Sequence, residues 1–483
     1  MHIKEGQNRK DMVMISYDMM VAQENPVRLI DLMCKKFISD NPWREEWKGT
    51  KAKGCKSYPP GAMLALLIYG YFNHVNSSRR LEKEAQRNIE VIWLLEGLSP
   101  DHWTICAFRR ENDLLVKDLL KSFRAFLLDN KYASTKRIVF DGSKLKAYAS
   151  RDMLTKECIE KKLESLDKSI AEYLSKLENN DNHDDELETA KEEINKLKAK
   201  LHKLEKQRAK NETAKEMLNN SGQNRISPND KDAILVKGRD GKFAGYNGQT
   251  GVEDKGHFIM HNEITTEAND QQQLENCVIK AEEEIGEQIE EVVADKGYYN
   301  TTQILDIEEK GTQCYVSIIT SPRDKEEGSG FFFTYDKTSD TCNCPQGKKL
   351  FLLQKNHKHG GTIYNAYKCY DYKDCPIRDK CSKSKTGRTY KRNVRQEELD
   401  KYKQKLETTY AKKRIDERKG IVEHPFGTIK WMMGKFNFLL TGKEKVQAEF
   451  DIYVTAYNVK RLMNCASFSK LMEQITQYNW KIA

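Results

Sequence analysis

The first 130 residues carry apolar positions at helical spacing. Three segments show this spacing: NPVRLIDLMCKKF, YPPGAMLALLIYGYFNHV, and SSRRLEKEAQRNIEVIWLLEG with a serine cap and Gly97 as its stop. A further helix is expected in LLVKDLLKSFRAFLLDNKY. The pattern predicts a helical domain over residues 1–132. Four arginines in it are expected to be exposed, and they would either bind phosphates or form an ordinary charged surface: Arg79, Arg80, Arg109 and Arg110.

After this domain, short apolar runs typical of buried strands appear. Residues 138–140 form one run, and we expect Asp141 to end the strand and Gly142 to make a turn. The segment EEVVADKGYYN repeats the arrangement, with Asp295 at the end of the run. A helix, QQQLENCVIKAEEEIGEQI, precedes the second run. Strands and helices in this order predict a mixed α/β core over residues 133–440, interrupted by insertions.

Residues 152–219 have a different pattern, with apolar positions in steps of three and four on two segments. The polar stretch ENNDNHDDE separates the two segments. Heptad spacing on both sides of a solvated turn predicts an antiparallel coiled-coil hairpin, with arms about 40 Å long at about 1.5 Å per residue. The hairpin would contact a second copy of the chain, contact nucleic acid, or brace the core.

Residues 321–395 are predicted to form a cysteine-rich β/loop insertion. Five cysteines lie in it, and four thiolates suit a tetrahedral structural Zn²⁺. We expect Cys342 to be spare and the zinc ligands to be Cys344, Cys369, Cys375 and Cys381. The alternative is a loop with reduced cysteines and no metal. Residues 441–483 form a C-terminal segment, and we expect a last helix in it over residues 443–476.

Composition narrows the class of protein. The chain has 483 residues and a net charge of +9, which suits an anionic partner such as nucleic acid. The longest apolar run, AMLALLIYGYF, is about half of the roughly 20 residues that span a bilayer. We therefore expect a cytoplasmic protein without a membrane partner, and its twelve cysteines to be reduced thiols or metal ligands.

Carboxylates at two strand ends suggest a cation site. Asp141 and Asp295 would face one cleft if their strands are neighbours, and clustered carboxylates repel one another unless cations neutralise them. Oxygen ligands favour Mg²⁺ or Mn²⁺. Glu423 would be a third acid in the basic stretch RIDERKGIVEHPFGTIKWMMGK, unless it forms a surface salt bridge. Because Pro425 disfavours a helix interior, we expect Glu423 just before a helix or at a kink, and His424 to be satisfied within the fold.

FDGSKLKAYAS, VVADKGYYN and IVEHPFGTIK, in this order, resemble the three acidic motifs of DDE transposases from bacterial insertion sequences. The similarity is to the IS-four superfamily, in its IS-eleven-eighty-two-like branch. The segment SSRRLEKEAQRNIEVIWLLEGLSPDHWTICAFRREN also resembles the helical domain that precedes the catalytic core in that group. The resemblance implies a ribonuclease-H-like core, and an N-terminal domain that serves DNA binding or dimerisation.

The resemblance also implies the chemistry. Asp141, Asp295 and Glu423 would be catalytic metal ligands for cutting transposon ends, and the freed 3′-hydroxyl would attack target DNA. Lys430 matches the family's Lys, whereas Asp416 stands in place of a Tyr and Lys419, beside Arg418, in place of an Arg. We expect Lys430, Arg418 and Lys419 to bind DNA phosphates. Partners would be double-stranded DNA, namely terminal inverted repeats and target, and a second copy of the chain on the bacterial nucleoid. Two alternatives are a transposase-derived DNA-binding protein that no longer cuts and a nuclease without strand transfer.

Overall fold

The computed structural model describes most of the chain, namely residues 14–41, 57–149, 153–181, 188–221, 224–238, 241–319, 333–359, 362–382, 384–434 and 437–482. Its N-terminal part is helical, with α1 (Tyr17–Met20), α2 (Pro26–Asp40), α3 (Pro60–Phe72), α4 (Ser78–Arg87), α5 (Ile89–Leu94), α6 (His102–Glu111) and α7 (Asp113–Asp129). The longest apolar run lies in α3, which is buried on almost every side. Within the described ranges, no helix is both long and apolar enough to cross a bilayer.

The third predicted helical segment forms two helices rather than one. Asn88 interrupts it with extended backbone (φ −95°, ψ 116°) between α4 and α5. The Asn88 side chain accepts a hydrogen bond from the backbone N–H of Glu90 at 3.0 Å. An asparagine that caps the next helix therefore overrides the continuous apolar spacing.

A mixed six-stranded sheet forms the centre of the molecule. Its strands are β1 (Arg137–Lys146), β2 (Ile234–Gly238), β3 (Gly241–Glu253), β4 (Ile259–Thr265), β5 (Glu291–Ala294) and β6 (Gln313–Val316). β3 pairs antiparallel with β1, β2 and β4, whereas β5 pairs parallel with β1 and with β6. The prediction of a mixed α/β fold is confirmed. The path β4-β3-β1-β5-β6 is consistent with a ribonuclease-H-like core.

β1 is longer than its apolar run predicts. Asp141 does not end the strand and Gly142 makes no turn, because the antiparallel ladder with β3 continues to the pair Lys146 and Gly245. The parallel ladder with β5 is short and stops at the pair Phe140 and Ala294. At Asp141, β1 therefore stops pairing with β5 but continues to pair with β3.

Two long helices follow β1: α8 (Lys156–Asp181) and α9 (Glu188–Ser221). Ion pairs join Glu160 to Lys215 and Asp167 to Arg208, so the helices run antiparallel. An apolar cluster at their base is separate from the main core and contains Leu154, Ile159, Ala214, Leu218 and Ile226. Residues 182–187, on which much of the predicted polar break falls, and the side chains of residues 177–194 lie outside the described part of the chain.

Helices α10 (Leu274–Ile285) and α11 (Thr301–Glu309) accompany the central sheet, and a second, antiparallel sheet occupies the cysteine-rich region. Its strands, in chain order, are β7 (Thr334–Asp336), β8 (Thr341–Asn343), β9 (Lys349–His359), β10 (Thr362–Cys369) and β11 (Thr389–Asn393). A short helix, α12 (Arg378–Cys381), lies between the last two strands. This sheet has its own small core, formed by Cys342, Leu350, Tyr367 and Cys369.

The rest of the chain is helical: α13 (Gln396–Glu407), α14 (Thr409–Met433), α15 (Lys443–Leu462) and α16 (Phe468–Gln477). The single last helix predicted from the sequence is therefore wrong, because the chain turns at residues 463–467 between α15 and α16. α15 is buried over most of its length and packs against α3, α7 and β4. The N-terminal helices and the central sheet consequently share one hydrophobic core.

Candidate active site

Asp141 and Asp295 are the first residues after the parallel pairing of β1 with β5 ends, and they follow the same pair of residues. Their preceding residues, Phe140 and Ala294, form the last pair between β1 and β5. Residues 138–140 and 292–294 are fully buried, so the apolar part of each strand fixes where the first polar side chain appears. Because neighbouring parallel strands end at one edge of a sheet, the two carboxylates become neighbours.

Asp295 is held in place by a turn. It caps the 3₁₀ turn Lys296–Tyr298, and its Oδ1 accepts a hydrogen bond from the backbone N–H of Gly297 at 2.7 Å. This leaves the other carboxylate oxygen without a role in the turn. A capped turn directly after a buried strand gives the carboxylate a defined position.

The electrostatics of the site disfavour the charge on Asp141. Burial raises the pKa of the Asp141 carboxyl from 3.8 to about 6, and repulsion from the carboxylates of Asp295 and Asp270 adds to the rise. The guanidinium of Arg418 and the backbone N–H of Gly142 oppose it. Two neighbouring acids with incomplete neutralisation favour a bound cation.

Arg418 brings helix α14 to the acids. Its Nη1 lies 3.8 Å from Oδ1 of Asp141, and its side chain is 14% exposed. Two ion pairs fix the helix on the sheet: Arg137 with Glu417 at 2.7 Å, and Arg414 with Glu291 at 3.1 Å. These pairs hold α14 at the first residues of β1 and β5, and Arg418 then brings the helix to Asp141 at the other end of the ladder.

A fourth carboxylate, Asp270, was not anticipated. It lies in the loop between β4 and α10, and its Oδ1 accepts hydrogen bonds from Asn247 at 2.6 Å and Gln249 at 2.8 Å. Lys144 lies 3.3 Å from the same oxygen. Nothing in the sequence around Asp270 indicates that this loop returns to β1, since the contact depends on the pairing of β3 with β1.

Gly142 allows Asp270 to approach the sheet. A Cβ atom on Gly142 would lie 2.6 Å from Oδ1 of Asp270 and 2.8 Å from Nε2 of Gln249. Glycine is therefore required for a close approach rather than for the predicted turn. The buried hydroxyl of Tyr298 completes the cluster by donating to Oε1 of Gln249.

Glu423 lies inside α14, neither before its start nor at a helix end, and its side chain is exposed. Pro425 is tolerated in the helix interior because its ring is buried, although it cannot donate to the carbonyl of Ile421. His424 lies 3.4 Å from the hydroxyl of Tyr457. Among the described residues, Asp141, Asp295 and Glu423 do not form a group with ligand atoms within 4.8 Å of one another.

The cationic residues expected to bind phosphates differ in their exposure to solvent. Arg79, Arg80 and Arg110 are exposed, as are Lys419 and Lys430 on α14. The expectation is wrong for Arg109, which is 3% exposed. Its guanidinium donates to the carbonyl of Asn76 at 2.7 Å, the hydroxyl of Ser78 and the hydroxyl of Tyr71, so it serves the core of the helical domain.

The four cysteines chosen as zinc ligands line one cavity of about 30 Å³ in the second sheet's loops: Cys344, Cys369, Cys375 and Cys381. Cys342, on β8, is fully buried and does not line this cavity. Burial raises the pKa of the Cys381 thiol, and the other three thiols add to the rise. No three of the sulfur atoms lie within 4.8 Å of one another, so a bound ion would require the loops to close further.

Two protein-family models match the chain. One, described as "Transposase DDE domain", matches residues 343–463, and the other, "Transposase domain (DUF772)", matches residues 15–111. These matches indicate a transposase. A comparison with curated proteins and one with solved structures gave no match. The DDE match includes Glu423 and the four cysteines, whereas Asp141 and Asp295 lie outside both matched ranges.

DDE transposases use divalent metals, generally Mg²⁺, and the residues present suit such an ion. Asp141 and Asp295 offer hard oxygen ligands, and a cation would offset both causes of the raised pKa of Asp141, first its burial and then the neighbouring carboxylates. The two aspartates offer carboxylate oxygens and no thiol, and this disfavours zinc at this position. The acid pair therefore fits a hard divalent cation.

The raised pKa of Asp141 predicts a stability effect that depends on pH. Between about pH 4 and pH 6 the folded chain binds more protons than the unfolded chain, so this group lowers stability as pH rises, by up to about 3 kcal/mol above pH 6. Without divalent cations, Asp141→Asn should raise the free energy of unfolding by about 1–3 kcal/mol at pH 8 and hardly change it at pH 4. Denaturant unfolding at both pH values measures this.

The matched control is Asp416→Asn, which removes an exposed carboxylate from α14. It should change stability little at either pH. Equal destabilisation by Asp141→Asn at both pH values would show that the carboxylate is not under electrostatic stress.

Proposed function

We propose that the chain is a metal-dependent DNA transposase of the IS-four superfamily, in its IS-eleven-eighty-two-like branch. It would cut the ends of an insertion sequence and join them to target DNA on a ribonuclease-H-like core. The observation that carries the proposal is the adjacency of Asp141 and Asp295 at the end of the β1–β5 ladder, beneath the helix that carries Glu423. Two transposase family matches, on either side of these strands, support it.

Asp141 and Asp295 would hold the metal, and Glu423 would complete the ligand set. Since Glu423 is exposed, we infer that DNA and cations draw its side chain toward the aspartates. When bound, a pair of divalent ions would supply an activated nucleophile and neutralise the leaving oxygen of the phosphodiester. Arg418, 3.8 Å from Asp141, would limit the repulsion between the acids until the cations are present.

Cations on the protein surface would contact the DNA backbone. Lys419 and Lys430 are exposed on α14, which also carries Arg418, and we propose that they bind phosphates near the cleavage site. Arg79, Arg80 and Arg110 would bind phosphates farther along the duplex. Arg110 is paired with Glu111 at 2.5 Å, so its contribution requires exchange of that partner. Binding through such contacts should weaken steeply with salt.

The remaining segments would have supporting roles. We propose that residues 1–132 serve DNA binding and dimerisation, and that the hairpin of α8 and α9 either contacts a second chain or DNA, or braces the core. The cysteine-rich region is proposed as an insertion stabilised by Zn²⁺. The shared cavity of four thiols supports this, because a tetrahedral zinc ion needs four such ligands around one point.

Removing one acid should abolish cutting and leave DNA binding intact. The assay measures Mg²⁺-dependent nicking of a duplex that carries the element's ends, by Asp141→Asn, Asp295→Asn and Glu423→Gln. Loss of a residue that only supports a metal ligand typically costs about 10–100-fold, and we expect each of these variants to lose more than that. Duplex affinity should persist, since it depends on lysines and arginines. Gel assays of nicking and of binding, run in parallel, measure both.

Asp416→Asn is the control for loss of an exposed carboxylate on the same helix. Near wild-type nicking by one of the three variants would remove that residue from the ligand set. Binding without nicking by the wild-type chain would favour the DNA-binding protein that no longer cuts. Nicked ends that are never joined to target DNA would favour a nuclease without strand transfer.

The zinc proposal predicts a difference in metal content. Protein with Cys375→Ser and Cys381→Ser should carry about one zinc fewer per chain than the wild type, because two of four ligands are lost. Cys342→Ala should retain the zinc, since Cys342 does not line the cavity. Elemental analysis of gel-filtered protein gives the counts. Equal zinc content in the double variant and the wild type would refute this site.

A further inference from the structure

A second cluster of potential metal ligands lies between β4 and α10. His261 and Glu263 are two residues apart on β4, which places both side chains on one face of the sheet. Cys277 projects from α10, which packs on that face. One ligand atom from each residue lies within 4.8 Å of the other two. This is the one such group of three in the described part of the chain, and neither transposase match includes it.

The two ring nitrogens of His261 differ, because one has a carboxylate partner and the other is available to bind a metal ion. The ring is 1% exposed, and its Nδ1 lies 3.2 Å from Oε2 of Glu284. A carboxylate only accepts, so Nδ1 donates and Nε2 is left with a lone pair. Nε2 is buried without a hydrogen-bond partner among the residues that the structure describes. Metal-bound histidines commonly donate their second nitrogen to a carboxylate in this way.

The histidine's carboxylate partner is itself fixed. Arg124, on α7, donates to Oε2 of Glu284 at 2.8 Å. The arginine is 4% exposed and also donates to the carbonyl of Ile259, at the start of β4. Three elements therefore hold the ring of His261, and its orientation does not depend on contacts at Nε2. A buried acceptor that is oriented but unused costs free energy unless a ligand satisfies it.

Glu263 and Cys277 provide the charge that a cation requires. Glu263 accepts from Lys280 at 2.6 Å on one oxygen and from Asn276 at 3.1 Å on the other, and a carboxylate retains further lone pairs. Cys277 is fully buried. Burial raises the pKa of its thiol, so the proton stays on sulfur unless a cation replaces it.

We propose that His261 Nε2, Glu263 and Cys277 Sγ form a buried site for Zn²⁺ or a similar borderline transition metal, with water as a fourth ligand. A mixed nitrogen, sulfur and oxygen set selects such a metal over Mg²⁺. Binding replaces the thiol proton: the S–H bond breaks, a Zn–S bond forms, and H⁺ leaves to solvent. The two negative ligands, thiolate and carboxylate, balance the charge of the ion.

The site has a structural consequence. α10 begins four residues after Asp270, so an ion that ties α10 to β4 would steady the loop that places Asp270 beside Gly142. The proposal does not depend on DNA cleavage, because its ligands are separate from Asp141, Asp295 and Glu423.

Cobalt titration tests the site directly. The probe is Co²⁺, added to chelator-stripped full-length protein that carries Cys375→Ser and Cys381→Ser, so that the four-cysteine cavity does not contribute. We expect one equivalent of Co²⁺ to bind with a thiolate-to-cobalt charge-transfer band and with release of a proton. Adding Cys277→Ser should remove that band. Adding Glu284→Gln should weaken binding by about 10–100-fold, as an outer-shell change does.

Cys314→Ser is the matched control, since Cys314 is also fully buried but belongs to no such group. It should leave the band unchanged. Cobalt bound only at carboxylates would give no charge-transfer band. If the folded parent protein shows no thiolate band at saturating Co²⁺, the proposal is overturned without reference to any variant of the site. Retention of the band in a folded Cys277→Ser protein would also overturn it.

Discussion

Parallel pairing of β1 with β5 places two like charges side by side at the edge of the central sheet. The pairing is short, and the apolar residues before Asp141 and Asp295 set its register by being buried. Because both faces of these strands are buried, a slip of one residue would draw a carboxylate into the apolar part of the ladder, which is costly. Burial of the strands therefore outweighs the electrostatic cost that appears in the raised pKa of Asp141.

Helix α15 ties the remaining parts to this sheet. The side chain of Asn458 pairs with both backbone groups of Ile259, accepting at 2.9 Å and donating at 3.0 Å, and so completes the edge of β4. Glu449 on the same helix accepts from Tyr71 of α3 at 3.0 Å. Since buried polar groups are costly without partners, these contacts fix the helix in one orientation. The proposed DNA-binding helices and the proposed catalytic edge thus belong to one packed unit.

Local patterns in the sequence predict the apolar parts of the fold well. Residues 138–140 and 292–294 are strands, and α2 and α3 appear where apolar spacing places them. One error is local, because Asn88 caps a new helix within a continuous apolar pattern, whereas others occur where distant contacts decide the structure. β1 continues past Asp141 because β3 pairs with it, and Arg109 can be buried because Tyr71 and Asn76 accept hydrogen bonds from its guanidinium. Neither partner is close to the affected residue in sequence.

In the candidate site, too, some residues could be predicted from the sequence and others depend on tertiary contacts. Asp141 and Asp295 were predicted from the apolar runs before them, and Glu423 from a resemblance, whereas Asp270 and Arg418's approach to Asp141 depend on tertiary packing. Pro425 led us to expect Glu423 just before a helix start or at a kink. The first alternative is wrong, because α14 runs through both residues with the proline buried.

Anomalous scattering from Mn²⁺ in crystals of the chain bound to a duplex would show whether the acid pair at the end of β1 and β5 holds a metal ion. It locates the ion without relying on activity. We expect manganese between the carboxylates of Asp141 and Asp295, with Glu423 turned inward so that a carboxylate oxygen lies about 2.0–2.1 Å from a metal ion, the distance typical of Mg²⁺. Manganese absent from this edge, at a concentration that saturates DNA cleavage, would contradict it.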